Sequence, residues 1–119
     1  MNKINLGEKY ELIDQHWDPK IIGEVNDMHV KLAKIKGDFE FHTHQDEDEL
    51  FYVFKGQITM KYRNSEEMIK EGEMIIVPRG VEHKPYAEEE AHILLFESKK
   101  TVNTGDKENK FTKLKEDWI

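Results

Sequence analysis

The sequence predicts an all-β protein, an antiparallel sandwich or barrel that follows one short helix. Short runs rich in branched and aromatic residues recur at hairpin spacing, and Gly, Pro, Asn and Asp separate them. Residues 57–63 alternate polar and apolar side chains, which is the pattern of a strand with one buried face. A succession of such strands favours a closed antiparallel sheet over a helical bundle.

The helix is predicted at the start of the chain. Asn5 is followed three residues later by Glu8, a pattern typical of a helix N-cap. Leu6, Tyr10 and Ile13 then recur at helical spacing. We therefore expect a short helix that ends at about residue 14.

Strands are expected over most of the remaining chain. Turn-compatible pairs, Asn26-Asp27 and Asn64-Ser65, and several glycines mark the connections. In chain order, the strand candidates are residues 21–25, 28–35, 39–44, 49–55, 57–63, 68–69, 74–77, 82–87 and 92–97.

Three histidines and one glutamate make the most informative pattern. In an extended strand, His42 and His44 lie on the same face, about 6.6 Å apart along the backbone. Glu49 opens the next strand after a short acidic turn, and His83 follows the turn formed by residues 78–80. Imidazole and carboxylate ligands suit a divalent metal ion such as Zn, Fe, Mn or Ni. The spacing therefore predicts a metal site.

These residues resemble the two motifs of the cupin superfamily, as found in a small single-domain cupin. The first motif is matched by Gly37, His42, His44, Glu49 and Gly56, and the second by Gly72, Pro78, Gly80 and His83. Two departures exist: four residues separate Gly37 from His42 where five are usual, and Ala87 stands where an Asn often closes the second motif.

The resemblance covers residues 24–97 and implies a cupin-type jelly roll, also called a double-stranded β-helix. It also implies that the metal ligands are His42, His44, Glu49 and His83. Motifs of this kind are specific to the fold far more than to an activity.

Length and composition indicate one domain over residues 1–119, with a core at about 24–97, a helix region at 1–16 and a loop and tail at 99–119. The absence of Cys excludes disulfides and thiolate metal sites. No apolar leader or membrane-length apolar run is present, so we expect a cytoplasmic protein without membrane contact. The net charge of −7 argues against nucleic acid as a partner.

The expected function is metal-dependent chemistry on a small oxygenated molecule. Four protein ligands leave room for water, substrate or dioxygen on a metal that accepts five or six. Isomerase-like and dioxygenase-like enzymes are the nearest analogies, and a non-catalytic module that binds or senses a small ligand is the alternative. A purely structural metal site is disfavoured. Candidate residues of a substrate pocket are Tyr62, Arg79, Lys84 and Tyr86.

A homodimer is the expected assembly. If Glu49, Phe51 and Val53 face the interior, then alternation places three apolar side chains on the outside, and these favour a subunit interface: Leu50, Tyr52 and Phe54. Cover by the N-terminal helix, or by the tail, remains open. The tail offers Phe111, Leu114 and Trp118 at helical spacing.

The polar segment at residues 99–110 is predicted to be a surface loop. Its position after the last strand leaves a second interpretation, a lid over the mouth of the barrel.

Overall fold

The computed structural model describes all 119 residues and shows an antiparallel jelly roll with one short helix, as predicted. All strand pairs between the named elements are antiparallel. No helix is long and apolar enough to cross a membrane. The elements are α1 (Leu6–Glu11), β1 (Lys20–Val25), β2 (Met28–Asp38), β3 (Glu49–Lys55), β4 (Gln57–Lys61), β5 (Glu66–Lys70), β6 (Met74–Val77) and β7 (Lys84–Ser98).

Strand β7 is the centre of the sheet, whose order is β1-β2-β7-β3-β6. One edge of β7 pairs with β2, while the other edge pairs with β4 near its start and with β3 near its end. The prediction of two separate strands at 82–87 and 92–97 was therefore wrong. The intervening glutamates continue the strand as an exposed bulge, because the pairing with β2 shifts register between Ala87 and Ala91.

Gly56 makes the crossing from β3 to β4 feasible. Its φ is +85°, and a Cβ at this position would lie 3.2 Å from the carbonyl oxygen of Glu90 and 3.3 Å from the Cα of Ala91. The backbone of β7 passes too close for most side chains, and the left-handed conformation adds a second reason for glycine. The β3–β4 hairpin is thus held tightly against β7.

The interior of the barrel is apolar, apart from the site described below. Along β3 the burial alternates as predicted: Glu49, Phe51 and Val53 are buried, whereas Leu50, Tyr52 and Phe54 are half-buried. The main core cluster contains Ala33, Ile35, Phe51, Val53, Ile58, Met60, Ile69, Val77, Ala87, Ala91, Ile93 and Leu95.

Helix α1 covers part of the outer face of the sheet. Asn5 caps it as predicted, because its Oδ1 accepts a hydrogen bond of 3.0 Å from the backbone N–H of Glu8. The helix ends at Glu11 rather than near residue 14. Tyr10 stacks on Phe54 with ring centroids 5.1 Å apart, and its hydroxyl donates to the carbonyl of Ile93. Phe54 is therefore covered within the chain.

The C-terminal tail contains no helix, despite the helical spacing of its apolar residues. It runs instead along the free edge of β1, where the N–H of Ile21 donates to Asp117 and the N–H of Ile119 donates to Ile21. The unpaired backbone groups of an edge strand provide these hydrogen bonds. Leu114, one of the three spaced residues, remains 80% exposed. The tail thus covers the free edge of β1.

A buried ion network fastens this tail to the barrel. The Nζ of Lys31 lies 2.9 Å from Glu97 Oε1 and 2.5 Å from Glu116 Oε1, and Lys31 is only 1% exposed. Removing one member of a buried network leaves its partners desolvated and unpaired, which costs far more than losing a surface pair.

We predict that Lys31→Met, which keeps the length of the side chain, lowers the free energy of unfolding by about 3 to 5 kcal/mol, because two buried carboxyl groups lose their cation. Urea denaturation measures the change. Lys99→Met is the matched control, since Lys99 pairs with Glu24 at the surface and should have no measurable effect. Equal stability of the two variants would contradict the prediction.

Candidate metal centre

A backbone pair between His42 and His83 brings the two histidine motifs together. The N–H of His42 donates to the carbonyl of His83, and the N–H of His83 donates to the carbonyl of His42, both at 3.0 Å. Directly paired residues project to the same side of a sheet, and the two imidazole centroids lie 4.4 Å apart. The predicted strand at 39–44 was too long, because only His42 forms this bridge.

His44 and Glu49 complete the group from neighbouring backbone. The carbonyl of His44 accepts a hydrogen bond of 2.8 Å from the N–H of Gly80, so the turn before His83 is anchored to the first motif. Glu49 opens β3 and points into the barrel, opposite Val77 on β6 and Glu97 on β7. Both side chains are buried.

The four predicted ligands lie in one buried cluster. One ligand atom from each of His42, His44, Glu49 and His83 falls within 4.8 Å of the others. Glu49 Oε1 is 3.2 Å from His83 Nε2 and 3.3 Å from His44 Nε2. Two atoms that each lie about 2.1 Å from one ion are at most about 4.2 Å apart, so the cluster needs only slight contraction to hold an ion.

Hydrogen bonds at Nδ1 fix the tautomer of two of the imidazoles. The Nδ1 of His42 lies 2.8 Å from the carbonyl of Glu40, and the Nδ1 of His83 lies 2.9 Å from that of Val81. A carbonyl oxygen only accepts, so each Nδ1 carries the proton and each Nε2 presents a lone pair. His44 Nε2 is buried without a hydrogen-bond partner. A buried unsatisfied nitrogen of this kind fits a site built for an ion.

The surroundings of His42 and Glu49 favour the protonation states that bind metal. Burial, followed by the charge of His83, lowers the pKa of His42 to about 4. Burial would raise the pKa of Glu49, but its close contacts with Glu97, His44 and His83 hold this pKa well below its ordinary value. At neutral pH His42 is therefore neutral and Glu49 ionised. Burial would lower the pKa of His44, but Glu49 outweighs this and raises it.

The segment after β7 packs directly on the histidine motif. Asp106 accepts a hydrogen bond of 2.9 Å from the N–H of Thr43 and returns one of 3.0 Å to the carbonyl of Thr43. Gly105 has a φ of +57°, and a Cβ there would clash with the carbonyl oxygen of Thr43 and lie 3.0 Å from His42 Cδ2. The predicted loop thus covers one side of the site, and its opening as a lid stays a prediction.

A cavity of about 40 Å³ adjoins the cluster inside the barrel. His42 and Glu49 line it together with apolar residues, Glu97 and Asn103. Sequence reasoning missed these last two residues. A signal for Glu97 existed, since Ile93 and Leu95 precede it at alternate positions and alternation places Glu97 on the same inner face.

The structure does not bring the four candidate pocket residues to this cavity. Arg79 is exposed and pairs with Asp48. Lys84 lies near Asp38, 5.0 Å from the ring centroid of Phe41. Of the other two, Tyr86 lies in a surface groove beneath Lys61, and Tyr62 packs half-buried against the main core.

Comparison with known proteins points to one family. The sequence profile described as the cupin domain matches residues 28–97. An uncharacterized protein of Bacillus subtilis, YdbB, is 36% identical over 64 residues, which cover 53% of this chain and 57% of that protein. SSO1533 of Saccharolobus solfataricus, provisionally named a dioxygenase, is 29% identical over 89 residues, or 73% of this chain and 23% of that protein. The chain thus spans less than two thirds of either relative.

Solved structures agree. A cupin-2 domain protein from Shewanella frigidimarina superimposes with a TM-score of 0.80 and 43% identity, over 81% of this chain and 94% of that one. Protein NMB1881 from Neisseria meningitidis superimposes with a TM-score of 0.76 and 31% identity, over 82% of this chain and 99% of that one. Both comparisons include most of the barrel.

We predict that Gly105→Ala destabilises the protein more than Gly72→Ala. Both glycines have positive φ, at +57° and +85°, so alanine is strained at either position, at a cost of about 1 kcal/mol or more. Only Gly105 touches the histidine motif, whereas nothing lies within 4 Å of a Cβ at position 72. Urea unfolding of both variants measures the difference. Equal losses of stability would show that the contact with Thr43 is unimportant.

Proposed function

The chain belongs to the cupin family, and from this premise we propose that it is a metal-binding cupin that acts on a small molecule. We assign the divalent metal, Zn, Fe, Mn or Ni, to His42, His44, Glu49 and His83. The observation that carries the proposal is the convergence of three buried imidazoles and an ionised carboxylate in one cluster.

The residues around the cluster prepare it for chemistry. A bound divalent ion supplies Lewis acidity toward a ligand oxygen and, if it is iron, redox reactivity with dioxygen. The carbonyls of Glu40 and Val81 fix the orientation of two imidazoles, which keeps their lone pairs aimed at one point. Phe51 and Leu95 make the adjoining cavity apolar, so water has few partners there.

A dioxygenase-type reaction is favoured over isomerisation of a sugar phosphate. A phosphate group needs several cationic or N–H donors, and no Lys or Arg lines the cavity. A small uncharged molecule and dioxygen need no such groups. The provisional dioxygenase name of the Saccharolobus relative is consistent with this reaction. The alternative is a non-catalytic module that binds a small ligand at the same metal.

Metal content tests the ligand set. We predict that His42→Ala and His83→Ala lose bound metal in elemental analysis of purified protein, because each removes one of four ligands. His16→Ala is the control, since His16 pairs with Glu90 at the surface. The wild type should also release metal as the pH falls, because protonated imidazoles cannot ligate, and His44, whose pKa is raised, is expected to protonate before His42, whose pKa is about 4. Full occupancy in both ligand variants would refute the site.

Nitric oxide tests whether the site is open. Protein loaded anaerobically with Fe(II) should bind nitric oxide and show the electron paramagnetic resonance signal of an iron–nitrosyl centre, because a reactive site retains an exchangeable position. His83→Ala, loaded in parallel, is the control for iron bound elsewhere. Iron that is bound but silent toward nitric oxide would indicate a saturated structural site and contradict the proposed chemistry.

We further propose a homodimer through the outer face of β3 and β6. Leu50 and Tyr52 are half-buried there, next to Met74 and Ile76, which are 55% and 53% exposed. An uncovered apolar sheet face of this kind favours association. Helix α1 covers Phe54, so the proposed interface is shifted toward β6 relative to the row that the sequence predicts.

We predict that Ile76→Glu converts a dimer to a monomer, because it places a charge in the interface. Light scattering coupled to gel filtration gives the mass. Leu12→Glu is the control, since Leu12 is similarly exposed but lies at the end of α1. A wild type that is monomeric at high protein concentration would refute the dimer.

A further inference from the structure

The cavity beside the metal centre restricts what can bind there, and the inference that follows rests on the proposed function. Apolar side chains form most of its wall, chiefly Trp17, Phe39, Phe51, Ile93 and Leu95. His42 and Glu49 place one end of it against the proposed metal ligands. A ligand that reaches the metal from this cavity therefore has an apolar body.

The volume of the cavity limits the part of a ligand that it can hold to a few atoms. About 40 Å³ is available. One water molecule requires roughly 10 to 15 Å³ of such space, so the cavity accommodates about three or four non-hydrogen atoms. A sugar phosphate is several times larger than this.

The polar groups of the wall include no free cation. Asn103 is uncharged and is held by two hydrogen bonds: its Nδ2 donates to the carbonyl of Phe111 at 2.7 Å, and its Oδ1 accepts from the N–H of Lys113 at 2.9 Å. Lys31 is held by Glu97 and Glu116 and does not line the cavity. An anionic group away from the metal would therefore be buried without a partner, which is costly.

Glu97 differs, because one of its buried oxygens accepts no hydrogen bond. Oε1 accepts from Lys31 Nζ at 2.9 Å, whereas no donor of the protein is paired with Oε2. The residue is 1% exposed, lines the cavity and stands opposite Glu49 in the sheet. A buried, unpaired carboxyl oxygen needs a hydrogen-bonding group. A hydroxyl group both donates and accepts, so it can satisfy a carboxyl group in either protonation state.

We propose that this cavity binds a short, uncharged hydroxyl compound, with the hydroxyl group paired to Glu97 Oε2 at the metal end and the carbon body packed against Trp17, Phe39 and Phe51. Glu97 is then the residue that determines specificity for the hydroxyl group. The proposed ligand therefore carries no phosphate or carboxylate group on its carbon body.

Three probes of one shape test the proposal: isopropanol, isopropyl chloride and isopropyl phosphate. They share the same carbon body and differ in hydrogen bonding and charge. The indole N–H of Trp17 reports on the cavity in two-dimensional nitrogen–proton NMR spectra of zinc-loaded protein. The indole N–H of Trp118, half-exposed on the tail, is the internal control, and Trp118→Phe assigns the two signals.

Isopropanol is expected to shift the Trp17 signal saturably, and isopropyl phosphate is expected to leave it unchanged. Glu97→Leu should weaken isopropanol binding at least about fivefold, because the alcohol loses its partner, and should not weaken binding of isopropyl chloride. Glu97→Gln keeps an oxygen at the same place and should restore most of the alcohol affinity. The proposal would be overturned if Glu97→Leu weakened binding of isopropanol and of isopropyl chloride equally, or if isopropanol did not shift the Trp17 signal.

Two further measurements keep the outcome decisive. Should Glu97→Leu fail to fold, the wild type alone still tests the ligand class, because a Trp17 response to isopropyl phosphate contradicts it. The zinc content of each sample is measured, and the titration is repeated on metal-free protein. If the protein binds no zinc, the proposed function is refuted. Glu97 and the apolar wall do not depend on zinc, so the titration of metal-free protein tests the ligand class separately.

Discussion

The reciprocal backbone pair between His42 and His83 is the constraint on which the site depends. Forty-one positions separate the two residues, yet two hydrogen bonds of 3.0 Å align their side chains on one face. The Gly80 N–H bond to His44 and the Asp106 bonds to Thr43 hold the same short segment from two other directions. The histidine motif is therefore rigid although it is not part of a regular strand, and rigidity of this kind orients ligands before an ion arrives.

Buried ionisable groups need oppositely charged or hydrogen-bonding partners, and here each group is the partner of the next. Glu49 faces His44 and His83 on one side and Glu97 on the other, and Glu97 is held by Lys31, which also binds Glu116. The proposed metal centre and the C-terminal tail are thus the two ends of one buried polar network. Three buried atoms in this network lack a hydrogen-bond partner: His44 Nε2, Glu97 Oε2 and Glu116 Oε2. We interpret the first as a place for the metal and the second as a place for the ligand.

The spacing of the histidine motif, together with strand alternation, predicted both the fold class and the residues that gather in the cluster. It could not predict the whole cavity wall, because Trp17, Phe39 and Asn103 lie in irregular segments without periodicity. The tail shows a related limit. Its apolar spacing fits a helix, but hydrogen bonds offered by the edge of β1 determine its path. The four polar pocket candidates lie near the motifs in sequence, but none of them lines the cavity.

The central claim is that His42, His44, Glu49 and His83 bind one metal ion. Anomalous diffraction from crystals of metal-loaded protein, recorded on both sides of the absorption edge of the metal, tests it most directly. The account predicts one strong anomalous peak within bonding distance of the three Nε2 atoms and of a Glu49 carboxylate oxygen. A fully loaded protein whose anomalous peak lies elsewhere, or whose Nε2 atoms bind only water, would contradict it.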